Sequence, residues 1–227
     1  MLAIVGSAAI YGIDAYPVRV EVDVAKGKPD FTVGGLPDTA VQESRERVRA
    51  AIRNSGFIFP LDRFTVNLSP ADVRKAGPAF DLPIALGILA ATDQARIDAL
   101  EQLCVAGELS LDGTVRSISG ALPMALSARE AEQRAMVLPK DNVNEAAVVD
   151  DFEAYSVETL YEAVAMLEGG LDKVAPAEPA EDDLELSAPA YDVDLSEMKG
   201  QEHVKRAVEV AVAGGHNVLM IGPPGAG

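Results

Sequence analysis

The N-terminal part of the chain opens with patterns that are typical of β-strands. Residues 2–10 (LAIVGSAAI) are uncharged and mostly apolar, which predicts a core strand. Residues 16–24 (YPVRVEVDV) alternate apolar and polar side chains, the period of a strand with one buried face. Shorter apolar runs at 31–33 and 64–68 predict two more strands. These patterns supply the strands of a mixed α/β domain.

Helical periodicity alternates with these strands. Asp38 is a predicted N-cap, and apolar residues then recur at helical spacing until Gly56 ends the helix. Residues 82–91 are almost entirely apolar, which predicts a buried helix. Apolar runs at 103–109 and 115–118 flank an Asp-Gly pair and predict a β-hairpin. Further short helices and strands complete a first domain over residues 1–170.

Composition separates this domain from the C-terminal part of the chain. Residues 172–197 hold nine acids and one base, which gives −8 of the net charge of −17. Their sequence includes APAEPAEDDLELSAPA, and low hydrophobicity with high charge predicts a flexible linker over 171–191. The acidity therefore says little about the binding face of the folded domain.

The last segment, residues 192–227, has the order of a nucleotide-binding domain. Residues 198–213 predict a helix, and 217–221 (NVLMI) predict a buried strand. The chain then ends in Gly222-Pro223-Pro224-Gly225-Ala226-Gly227, the first six positions of the phosphate-binding motif G-x-x-x-x-G-K-[ST]. The Lys and the Ser or Thr of that motif do not follow, so we expect an incomplete nucleotide site.

The residue inventory excludes several kinds of site. The single cysteine, Cys104, allows no internal disulfide and fits a reducing compartment. With only His203 and His216, the chain offers no His/Cys zinc cluster, and we expect no metal site and no catalytic residue in it. Residues 1–13 are too few to span a bilayer and carry no basic leader, so we expect a cytoplasmic protein without membrane contact.

Basic residues gather in one part of the first domain. From 38 to 75 there are seven bases and five acids, against the sign of the whole chain. Arg45, Arg49 and Arg53 recur at four-residue intervals on the predicted helix, and Arg74 and Lys75 lie in the loop after the next strand. These five residues are candidate contacts to DNA phosphates.

From sequence alone, a solvent-exposed helix face without a binding role is the stronger interpretation of the same arginines. Pairs Glu43–Arg47 and Glu46–Arg49 would make the helix face an ordinary solvated one. No aromatic residues alternate with the arginines to stack bases. Near them, Asp72 and Asp81 flank a Gly-Pro turn, but Asp81 is better interpreted as the N-cap of the following helix than as an acid–base group.

Several long segments, in order, resemble one family. TVGGLPDTAVQESRERVRAAI, NLSPADVRKAGPAFDLPIALGILAA, GELSLDGTVRSISGALP and MKGQEHVKRAVEVAVAGGHNVLMIGPPGAG are similar to the magnesium-chelatase-like AAA+ ATPases of the ComM (YifB) type. The resemblance implies an α/β (α+β) first domain with the fold of ribosomal protein S5 domain 2, shared with the Lon protease C-terminal domain. It also implies, after the linker, an incomplete start of a P-loop AAA+ domain.

The same resemblance implies partners and cofactors. The full-length protein would bind ATP and Mg²⁺, self-associate into a hexameric ring, and act in DNA branch migration during recombination. No cofactor is expected to bind tightly to this chain, because the loop lacks its Lys and its Mg²⁺ ligand. The first domain would contact DNA or substrate, or would be a scaffold or a protein-docking module.

The resemblance to Lon also raises peptide hydrolysis as an alternative function of the first domain. Lon-type proteases place a nucleophilic Ser after a Gly-Pro, and the matching position here is Ala79. The position that resembles the Lon general-base Lys is Pro123. Neither side chain can attack a carbonyl or take a proton, so we expect no protease unless Ser69 and Lys75 form an unrelated pair.

Overall fold

A long antiparallel hairpin organises the first sheet. The computed structural model describes residues 1–73, 75–179 and 200–223. The sheet has the strand order β1-β2-β4-β3, in which β3 and β4 are parallel and the other pairs antiparallel. Its strands are β1 (Leu2–Tyr11), β2 (Asp14–Ala25), β3 (Asp30–Gly34) and β4 (Arg63–Ser69). All four predicted strands are confirmed, and in β2 the alternate residues Val18, Val20 and Val22 are buried.

Among the described residues, the first domain contains five α-helices. They are α1 (Thr39–Asn54), α2 (Asp81–Ala91), α3 (Ala121–Glu130), α4 (Val143–Ala147) and α5 (Leu160–Gly169). The predicted cap of α1 is confirmed, because Asp38 Oδ1 accepts a hydrogen bond from Val41 N at 2.9 Å. The apolar α2 packs on β1 and β2, and a Cβ at Gly87 would lie 2.6 Å from Val22 Cγ2.

A second, parallel sheet completes the domain. Its order is β5-β8-β9, formed by β5 (Leu103–Val105), β8 (Ala135–Pro139) and β9 (Glu153–Val157). A separate short hairpin joins β6 (Glu108–Leu109) to β7 (Val115–Arg116). The domain is therefore a mixed α/β (α+β) fold with parallel strands.

The hairpin predicted between 103–109 and 115–118 is partly wrong. Residues 103–105 pair with β8 instead, and only Glu108–Leu109 pairs with β7. The chain divides between them because Gly107 N donates to Ala79 O at 2.9 Å and Leu82 N donates to Gly107 O at 3.0 Å. These hydrogen bonds between Gly107 and the start of α2 thus separate β5 from β6.

The chain divides into two units, residues 1–180 and 181–227. Most of the predicted linker 171–191 lies outside the described residues. In the second unit, α6 (Glu202–Gly214) begins at Glu202, whereas the pattern predicted a start at 198. The strand predicted at 217–221 does not form, since no strand lies within 200–223 for it to pair with. None of the helices that the structure describes has the length and hydrophobicity of a membrane-spanning segment.

One buried ion pair joins α1 to α2. Arg47 Nε donates to Asp81 Oδ2 at 2.6 Å, and its terminal nitrogen donates to Asp81 Oδ1 at 3.1 Å and to Ala40 O at 2.9 Å. The Asp81 side chain is fully buried, and that of Arg47 is 22% exposed. Asp81 is therefore not the predicted N-cap, because its carboxylate points to Arg47 rather than capping its own helix.

Removing the cation of this pair should be costly. Arg47→Met leaves the Asp81 carboxylate buried without its counter-ion, so we expect the free energy of unfolding to fall by about 3 kcal/mol. Arg45→Met is the matched control, since Arg45 pairs with Glu46 on an exposed face and its loss should cost less than about 1 kcal/mol. Urea unfolding of both variants measures the difference, and equal losses would contradict the role given to the pair.

Candidate functional site

A cleft of about 410 Å³ opens between the end of β1 and the turn that leads into α2. It is lined by residues 8–10 of β1, by the segment 76–80, by Glu108 of β6, by 117–119, and by Met124 of α3. Most of this lining is apolar. A concave, largely apolar surface with a few polar groups is the usual form of a binding site.

One wall of the cleft depends on a shared carboxylate. Gly77 has φ +85°, a conformation that favours glycine, and its N–H donates to Asp38 Oδ2 at 3.1 Å. The other oxygen of Asp38 caps α1. Because one side chain fixes both the helix and the turn, the position of Ala79 on the cleft wall is set by α1.

The facing wall is fixed at the start of α3. Gly120 precedes the helix with φ +81°, and a Cβ there would lie 2.6 Å from Ile10 Cδ1. The buried Asn142 accepts from Ile118 N at 2.8 Å and donates to Ile118 O at 2.9 Å. The two hydrogen bonds fix the 117–119 segment to Asn142, and the close approach of Gly120 to Ile10 brings the start of α3 against β1.

The electrostatics of the cleft are acidic. Glu108 is half-buried and, among the described residues, is the one ionisable residue that lines the cleft. Behind it, burial raises the pKa of the Asp81 carboxyl to about 6, although Arg47 and the Leu109 N–H favour the ionised form. No basic side chain that the structure describes lines the cleft, so the site favours cationic over anionic groups.

The structure separates the predicted DNA-contacting residues. Arg45 is exposed and lies 3.5 Å from Glu46, and Arg53 is exposed near the end of α1. The Arg49 guanidinium lies 6.0 Å from the Phe59 ring centroid, and its buried Nε has no hydrogen-bond partner among the described residues. Lys75 is buried, and its Nζ donates to Val73 O at 2.8 Å. Arg74 lies outside the described residues.

The structure also decides between other local interpretations of these side chains. Within the described helix α1, the pairs Glu43–Arg47 and Glu46–Arg49 do not form, since Arg47 turns inward to Asp81 and Glu46 contacts Arg45. In the described part of the chain, no hydrogen bond joins Lys75 to Ser69. Asp72 is exposed while Asp81 is buried with Arg47, so these two carboxylates do not form an acid–base pair.

Little of the predicted phosphate loop is described. Gly222 and Pro223 are exposed, and Pro224, Gly225, Ala226 and Gly227 lie outside the described residues. Within the described ranges, no group of three or more His, Cys, Asp or Glu side chains could hold a metal ion.

Comparison with known families decides the relationship of the chain. The model of "Subunit ChlI of Mg-chelatase" matches residues 20–142, which is more than half of the 227 residues. The chain belongs to the magnesium chelatase ChlI family. A second model, "Magnesium chelatase, subunit ChlI", matches residues 194–227.

Individual relatives agree with this family. The chain is 42% identical over 226 residues to the competence protein ComM of Haemophilus influenzae, and 42% identical over 228 residues to the uncharacterized protein YifB of Escherichia coli. Both matches cover 100% of this chain and 44% of the relative. The ChlI-family chain described here thus spans less than half the length of these relatives.

A more distant similarity is to a Lon protease. Lon protease 2 of Bacillus subtilis is 24% identical over 182 residues, which covers 72% of this chain and 32% of that protein. The Gly-Pro turn of the ChlI-family chain carries Ala79 at the cleft, 7% exposed. Its methyl group has no electron pair for nucleophilic attack.

Sequence reasoning missed Glu108 and the cleft itself. Glu108 stands in the segment GEL, which carries no known motif spacing. Its importance comes from the turn at Gly107, which places it beside the segment 76–80. No local pattern could have revealed that approach, since the two segments are far apart in the chain.

The raised pKa of Asp81 gives a pH signature. The pKa of Asp81 in the folded protein is about 6, above its ordinary value of 3.8. Between these values the folded state binds more protons than the unfolded state. The contribution of Asp81 to the free energy of unfolding is therefore lost as pH rises from about 4 through 6. We expect Asp81→Asn to remove that slope from urea midpoints measured between about pH 4 and 7. Asp72→Asn, at an exposed site, should leave the slope unchanged; an unchanged slope in Asp81→Asn would contradict the assignment.

Proposed function

We propose that this chain is the N-terminal part of an ATP-driven ring motor whose first domain holds a protein substrate without cutting it. Residues 1–170 would be the Lon-like, S5 domain 2-like domain, 171–191 the linker, and 192–227 the start of the AAA+ domain. The two ChlI-family matches and the likeness to ComM support this division. The motor would act in the cytoplasm as a hexamer during DNA recombination, the role expected of a ComM-like protein.

Nucleotide binding is proposed for the longer protein. Backbone N–H groups of Gly225, Ala226 and Gly227 are the donors that this motif uses for phosphate oxygens, and a Lys and a Ser or Thr complete the motif. ATP supplies the energy and Mg²⁺ neutralises charge on its phosphates.

The observation that carries the substrate-holding role is the cleft with Ala79 in its wall. The walls are fixed by Asp38 and by Asn142, so the cleft is ready to receive a polypeptide without rearrangement. The resemblance to Lon-type proteases matches their nucleophile position to Ala79 and their general-base position to Pro123. Binding without hydrolysis is what such a site can do.

Polypeptide binding without cleavage is directly measurable. A fluorescently labelled, unfolded casein should bind the 227-residue chain and release no fragments above the blank. Ser119→Trp places an indole at the cleft mouth and should weaken binding at least about tenfold, since bulky groups exclude ligand from a preformed pocket. Asn144→Trp, exposed and outside the cleft, is the control. Cleavage, or equal binding by both variants, would refute the proposal.

DNA contact remains a second candidate because two arginines on α1 are exposed. Arg45 and Arg53 lie two helical turns apart, which permits both to meet phosphates of one nucleic acid. Arg49 and Lys75 are less available for such contact, since the structure buries part of the first and all of the second.

Anisotropy of labelled single-stranded and forked DNA at two salt concentrations tests this candidate. We expect weak binding that falls with salt, and a salt slope reduced by about two when Arg45 and Arg53 both become Ala. Arg129→Ala, on α3, is the matched control. If no binding is found at low salt, DNA contact is excluded for this chain and only the polypeptide role remains.

A further inference from the structure

We propose that the cleft selects an extended polypeptide segment in which an apolar side chain is followed closely by Lys or Arg. This inference rests on the proposed substrate-holding function and adds the chemistry of the substrate. It follows from three features of the cleft: its apolar lining, its single carboxylate among the described residues, and its exposed hydroxyl groups.

The apolar lining calls for an apolar side chain in the ligand. Ile10, Ala79, Ile118 and Met124 meet in the cleft from four different parts of the chain. Transferring an aliphatic side chain from water to such a lining is favourable in proportion to the area buried. Met124 can also adjust its shape to different aliphatic partners, because its side chain is unbranched and flexible. The site is therefore suited to Leu, Ile or Met side chains without demanding one of them.

The carboxylate calls for a cation beside that apolar side chain. Glu108 is half-buried in the cleft. Arg116 lies opposite it in the β6–β7 pair, but its Nε donates to Ser110 Oγ, and no ion pair with Glu108 forms in the described structure. The nearby Asp81 is neutralised by Arg47 rather than by any group of the cleft. A ligand Lys or Arg would give Glu108 a counter-ion within the cleft.

The same charge argues against nucleic acid in this cleft. A phosphate backbone would bring negative charge to Glu108, and no Lys or Arg in the described lining offsets the repulsion. The exposed arginines of α1 are not among the lining residues. The cleft and the arginine face are therefore separate surfaces with opposite preferences.

Hydroxyl groups at the cleft mouth suit an extended main chain. Ser117 and Ser119 line the cleft, and each hydroxyl can donate to a carbonyl or accept from an N–H. Such bonds do not depend on the ligand's sequence. Beyond Ile10, the tip of the β1–β2 hairpin exposes Tyr11 at 73% and Ile13 at 90%, which offers further apolar contact to a longer segment.

The test compares two labelled peptides that are identical except for one position, Leu-Leu-Lys-Leu and Leu-Leu-Glu-Leu, with the 227-residue chain. We expect the Lys peptide to bind about tenfold more tightly, since a charge-assisted bond to Glu108 forms with it alone. Glu108→Gln should abolish the preference, and Glu108→Lys should reverse it. Glu101→Gln, an exposed residue paired with Arg19, is the control and should leave the preference intact.

Each result separates this inference from the proposed function. If both peptides bind equally and Ser119→Trp still weakens them, the charge selection is wrong while the substrate-holding cleft stands. If neither peptide nor casein binds, both are wrong. Displacement of the Lys peptide by single-stranded DNA, with loss of that competition in Ser119→Trp, would show a nucleic-acid occupant and overturn the inference. Urea midpoints confirm that the Glu108 variants remain folded.

Discussion

Burial of α2 is the constraint on which the domain depends. This burial also takes one charged group, the carboxylate of Asp81, out of water. The helix packs on both long strands and contacts α1 and α5, and its only charged side chain is Asp81. Burying a carboxylate is expensive unless it is paired and hydrogen-bonded. Arg47 supplies two bonds and Leu109 N a third, so the position of α1 and of β6 is coupled to the one charged group of the central helix.

The cleft is formed by the same packing of α2 against its neighbouring elements. Gly107 bonds to both Ala79 and Leu82, which brings β6 and its Glu108 to the N-terminal end of α2. Asp38 ties the turn at Gly77 to the start of α1. The residues that form the cleft are thus held by hydrogen bonds that the fold needs in any case. A site made in this way is preorganised, and less entropy is lost when a ligand binds.

Sequence patterns predicted the elements whose signals are local. The alternation in β2 and the cap at Asp38 each depend on residues close in the chain, and both predictions hold. The partners of Arg47 and the division of 103–109 could not be predicted in the same way. Each is decided by a group from a distant segment, Asp81 in one case and β8 in the other. Glu108 belongs to this second class, since only its surroundings distinguish it from any other surface glutamate.

The methyl group of Ala79 changes what kind of process the cleft can support. A site with a nucleophile can hydrolyse a peptide bond of its ligand, and the product leaves as a different molecule. A site with alanine returns its ligand unchanged, so its occupancy at equilibrium follows the ligand concentration and the dissociation constant alone. Binding to such a cleft is reversible, and the cleft alone cannot drive the movement of a ligand in one direction. If substrate is to move one way, the free energy for that movement has to be supplied from outside this domain.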